Sequence, residues 1–209
     1  MKRFSSTFYT LFEILMNLAI WNTIWLVHTI IGLGIFGWAP ATAALFSVLR
    51  QEKLHQRDVP KWRTFFTSYK REFVKANIIG FLVVGGGGAI LFSFNTLLYM
   101  GFGLRLLFGT LLVILFIMYL LTSIYIFPVL VHYNTSLMKH IRFALMIGLA
   151  YLPHSLLIGV TIVLIGVIYQ TFPGLIMFYL MSFPVAVILP IVLHVFKSIE
   201  EKEVVPERM

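Results

Sequence analysis

The chain has 209 residues, of which 60% are hydrophobic and only 11% charged, with a formal net charge of +8. Ordinary globular domains are roughly a quarter charged, so a water-soluble domain is excluded and a polytopic helical membrane bundle is the class that fits. The lack of cysteine excludes disulfides, thiolate metal sites and cysteine nucleophiles.

Residues 1–209 read as one all-α transmembrane domain. Lys2 and Arg3 stand ahead of an apolar run, and Ala41-Thr42-Ala43 looks like a signal cleavage site. The apolar stretch Ile14 to Phe36 is too long for a signal h-region, however, and reads as an uncleaved first span. Phe4, Phe8, Leu11, Phe12 and Leu15 form its interfacial lead-in. Within it, Glu13, Asn17, Trp21, Ile24 and His28 fall on one narrow helical stripe. Two readings follow. Either Glu13 lies at the head-group level and Asn17 and His28 pair with a neighbouring helix, or Glu13, Asn17 and His28 line a path for a solute or proton.

Gly32, Gly34 and Gly37 are expected to break this helix, and Pro40 suits the first turn of the next. That second segment, Pro40 to about Gln56, is short for a bilayer of roughly 30 Å. Arg50 to Lys75 then holds half of the sixteen Lys and Arg residues. Lys and Arg in short loops stay cytoplasmic, which explains the positive charge without nucleic acid and adds lipid head groups as partners. Asp58-Val59-Pro60 reads as a turn, and Lys61 to Lys75 as a separate amphipathic helix. Its aromatics Trp62, Phe65, Phe66, Tyr69 and Phe73 suit either the head-group region or docking to a partner.

Asn77 to Tyr99 is the next expected span, with the run Gly85 to Gly88 permitting close helix approach or local unwinding. A span from Leu106 to Val131 follows, and then a basic loop in which Ser136 is positioned to cap a helix at Leu137. His132 and His140 lack the acidic or cysteine companions of a metal site. A span from Phe143 to Tyr169 is expected to kink at Pro153-His154. The turn Thr171 to Gly174 leads to the last span, Leu175 to Phe196, and a charged tail. Parity places the three basic regions on one side. The expected topology has six membrane segments, the second one short, with both termini cytoplasmic; five spans with the N-terminus outside is the alternative.

Gly37-Trp38-Ala39-Pro40-Ala41-Thr42-Ala43-Ala44-Leu45, the segment TFFTSYKREFVKAN, and Phe127-Pro128-Val129-Leu130 leading to HYNTSLMKH together resemble the YesL-like family of bacterial membrane proteins. Asn134 stands where many members have Asp. The resemblance implies a plasma-membrane protein often encoded beside carbohydrate-import and polysaccharide-degrading systems, with no binding residues to carry over. No catalytic constellation, metal site or cofactor site is evident, so an enzyme is not expected. An accessory component of oligosaccharide uptake, docking to a sugar-importer permease, is the first functional expectation. A small permease or channel is the second.

Overall fold

The first apolar run forms helix α1 (Lys2–Ile31), and the glycines after it end the helix as expected. In the turn over residues 32–37, Leu33 and Gly34 both take left-handed backbone angles, with φ of 58° and 73°. The turn closes so tightly that a Cβ on Gly32 would lie 2.3 Å from the Cα of Gly37. Only glycine permits that approach. The computed structural model describes residues 2–55 and 61–204. The expected turn at Asp58 to Pro60, and the side chains of Phe4 and Phe8, lie outside the described residues.

Helix α2 (Trp38–His55) carries Pro40 in its first turn, where a missing N–H is tolerated. Ala39, Ala41, Ala43, Ala44, Leu45 and Val48 are all fully buried. Their small size lets α1, α3, α4 and α8 close around α2. Helix α2 is therefore the centre of the bundle, and its short apolar stretch needs little lipid contact.

Helix α3 (Lys61–Leu97) runs unbroken for 37 residues. The separate amphipathic helix expected over Lys61 to Lys75 is instead its first four turns. No glycine or proline separates Lys75 from Asn77, and Asn77 Nδ2 donates to the Phe73 carbonyl at 2.9 Å. That bond satisfies the amide N–H within the helix, although Oδ1 is buried without a partner among the described residues, and the backbone ladder continues through it. Gly85 to Gly88 also stay helical, and Tyr119 fills the space beside Gly86 and Gly87.

Helix α4 (Phe102–His132) contains Pro128 four residues before its end. The kink expected at Pro153 is a full break between α5 (Leu137–Ala150) and α6 (Leu152–Thr171). Pro153 occupies the first turn of α6; it has no N–H to offer the Leu149 carbonyl and its ring would clash with it, so the chain leaves the helix at Tyr151. The last expected span is likewise divided, into α7 (Gly174–Tyr179) and α8 (Ser182–Val204). Ser136 precedes α5 but makes no side-chain capping bond.

Five of the described helices are long and apolar enough to cross a membrane: those over Tyr9–Ile31, Trp62–Leu97, Phe102–His132, Leu152–Thr171 and Ser182–Glu201. Helix α2 is present where a short second segment was expected but is not one of the five. Its last turns, RQEKLH, are polar, and its apolar part lies inside the bundle.

Candidate functional site

Two features that are separate in sequence meet in space. His28, in the last turn of α1, is buried against four aromatic rings of α3: Phe65 at 4.8 Å, Tyr69 at 5.2 Å, Trp62 at 5.7 Å and Phe66 at 6.3 Å between centroids. Its Nδ1–H donates to the Ile24 carbonyl at 2.9 Å, and Tyr69 Oη donates to the His28 carbonyl at 3.3 Å. Phe65 also stacks on Trp21, and Phe73 meets Tyr69 edge to face. The α1 stripe does not form one environment, because Glu13 is exposed, Asn17 half-buried and His28 enclosed. Of the five aromatics, Phe65 and Tyr69 are buried and Phe73 is half-buried. Trp62 and Phe66 remain 59% and 43% exposed, with Lys70 Nζ 4.3 Å above the Phe66 ring.

The basic segments converge at one end of the bundle. Arg50, on α2, reaches the Val131 carbonyl at 3.5 Å, near the end of α4. His132 Nε2 donates to Glu200 of α8 at 3.0 Å, and its ring packs on Phe196. Burial pulls the Arg50 guanidinium below its ordinary pKa, while Glu200 and Tyr133 push the other way. His140, fully buried, ties the α4–α5 loop together: its ring nitrogens lie 2.8 Å and 2.9 Å from the carbonyls of Ser136 and Tyr133. The Ser136 carbonyl, not its hydroxyl, thus organises the start of α5.

The break between α7 and α8 is held by a residue outside the predicted stripe. Asn22, fully buried on α1, donates from Nδ2 to the Met177 carbonyl at 3.0 Å and accepts from the Met181 N–H at 2.9 Å. In a continuous helix those two backbone groups would bond each other. The Asn22 amide is inserted between them and takes the place of that bond. Tyr169 Oη donates to the Tyr179 carbonyl at 2.6 Å and so satisfies another free acceptor of the break. Pro184 has no N–H to offer Leu180, so the ladder cannot close there. Ser182 Oγ is buried beside the break with no hydrogen-bond partner.

A family model described as "Protein of unknown function, DUF624" matches residues 18–94. Over 196 residues the chain is 32% identical to the uncharacterised protein YteU of Bacillus subtilis, covering 94% of this chain and 88% of YteU. The chain belongs to the DUF624, YesL-like family. It is also 37% identical to the uncharacterised protein YesV of Bacillus subtilis over 177 residues, 80% of each chain. Identity to the uncharacterised YesL of the same organism is 30% over 122 residues, 58% of this chain and 57% of YesL. No solved structure matches the chain. The DUF624 segment spans Asn22, His28, Arg50 and the aromatics Trp62 to Phe73. Asn22 escaped the sequence reading because it lies one residue off the stripe. The available signal was a lone amide in an apolar run, which demands a partner in lipid, combined with a proline-interrupted helix that needs one.

Proposed function

We propose that this plasma-membrane protein is a non-catalytic accessory component of carbohydrate uptake, which docks a sugar-importer permease through the first turns of α3. The observation that carries this is the pair Trp62 and Phe66, exposed at the basic end while the rings beside them are locked around His28. Rigid, exposed aromatics are what protein interfaces use as anchors, since little side-chain entropy is lost when they are covered. A sugar importer as the partner is what the resemblance to the YesL-like family implies. The three basic segments gathered at one end support a cytoplasmic position for that end and, with α2 counted as a return crossing inside the bundle, for both termini.

The test is a mild-detergent pull-down from native membranes of cells grown on several polysaccharides. Trp62→Ala with Phe66→Ala leaves the protein in the membrane and strips a co-purifying permease subunit. Wild-type protein that comes down alone under every growth condition overturns the reading. A second reading, a small solute permease or channel, draws on the α7–α8 break, because transporters place solute sites at discontinuous helices. Uptake of labelled oligosaccharide by cells expressing this chain alone separates the two.

A further inference from the structure

We propose that the basic end of the bundle binds an anionic phospholipid, its head group on Arg50 and one acyl chain in a slot between α5 and α8. The slot has a volume of about 260 Å³ and is lined by Tyr133, Phe143, Met146, Ile147 and Tyr151, with Ile199 of α8 opposite. No charged side chain lines it, so its interior suits hydrocarbon. It follows the length of α5, which packs antiparallel to α4: Tyr133, just past the end of α4, meets Phe143, whereas Gly148 lies against Leu121, further back along α4. The volume falls below the roughly 300–1,000 Å³ of pockets that hold compact small molecules. A single chain fits it better than a folded peptide.

At the Tyr133 end the chemistry changes. Arg50 lies within electrostatic reach of Tyr133 and Glu200, and Glu200 adjoins the slot-lining Ile199. Among the described residues, Arg50 Nε is buried with no hydrogen-bond partner, and its Nη1 has only the 3.5 Å contact to Val131. His132 donates through Nε2 to Glu200, which leaves the Nδ1 of the neutral ring an acceptor with nothing to offer an anion. A guanidinium keeps its proton in proteins, so its fork holds donors that lack an acceptor. Phosphate oxygens match that fork, and Lys139, Arg142 and Lys197 add positive charge at the same end. The Glu200 carboxylate opposes an anion but is itself paired with His132. Free phosphate would satisfy Arg50 and leave the slot empty. A phospholipid satisfies both.

The full chain, purified and delipidated in mild detergent, is titrated with phosphatidylglycerol or phosphatidylcholine of identical chains, and bound lipid is counted by native mass spectrometry. Phosphatidylglycerol binds at least about tenfold more tightly, and Arg50→Gln weakens it by a similar factor, the equivalent of one charge-assisted hydrogen bond. Ala150→Phe narrows the slot from its exposed edge and weakens binding without touching the charge, which keeps the test decisive if Arg50→Gln fails to fold. Arg105→Gln, far from the basic end, binds as the parent does. Equal binding of the two lipids, undiminished binding by Ala150→Phe, or a peptide occupying the slot overturns the proposal. Competition by inorganic phosphate alone overturns the lipid assignment.

Discussion

Replacing Asn22 by Leu keeps the number and branching of the side-chain heavy atoms and removes the amide that bridges the α7–α8 break. The bonds to Met177 at 3.0 Å and from Met181 at 2.9 Å are lost, together with the longer one from the Ser182 N–H at 3.5 Å. A net bond contributes about 0.5–1.5 kcal/mol in proteins, and bonds between membrane helices average about 0.6 kcal/mol. Each buried backbone group left without a partner adds about 1–3 kcal/mol. If Met177 and Met181 stay apart, the variant loses about 3–7 kcal/mol. If they rejoin each other, most of that cost disappears. Pro184 opposes rejoining, because Leu180 still lacks a donor. Asn22→Leu is therefore expected to lose at least about 2 kcal/mol, with Pro184→Ala in that background recovering about 1 kcal/mol as the ladder heals. Reversible unfolding in mixed micelles, followed by tryptophan fluorescence, measures both. A variant within about 0.5 kcal/mol of the parent, with no effect of Pro184→Ala in either background, refutes the view that Asn22 holds the break.

Helix contacts make a paired prediction in the same assay. Gly80→Ala places a Cβ 2.7 Å from that of Ala39 and 3.0 Å from the Trp38 ring, and is expected to cost about 1–3 kcal/mol. Gly88→Ala meets nothing within 4 Å and is expected to be neutral or to gain up to about 1 kcal/mol of helix propensity; equal effects would refute the packing assignment. For topology, single cysteines at Ser136 and Lys197 are expected to label only from the cytoplasm, and those at Gly103 and Phe172 only from outside. Ser68 is unsuitable as a reporter because it is buried against Ser47 at 2.9 Å.

The sequence is most legible where a backbone rule acts locally. Gly32 to Gly37 had to end α1, and the turn after Thr171 lies where its proline and glycine place it. It is least legible at polar residues inside apolar runs. Asn77 suggested a boundary and lies mid-helix, because its amide found the Phe73 carbonyl one turn back. Asn22 suggested nothing and holds a distant break, because its amide found backbone 155 residues away. The same residue type in similar company thus has opposite consequences, set by which carbonyl is within reach.

Composition and local pattern by themselves determined the membrane class, the order of the helices and the grouping of basic charge. Those depend on transfer of side chains from water to lipid and on backbone sterics, and both act residue by residue. Only tertiary structure decided that α2 is the buried centre, since an alanine-rich helix acquires that place from the close approach of its neighbours. Tertiary structure also turned His28 and the α3 aromatics into one cluster, and put Arg50 of α2 beside His132 and Glu200. Each of those arrangements is a contact between segments far apart in the chain. Its free energy depends on the packing of every helix between them, and no local window of sequence contains that information.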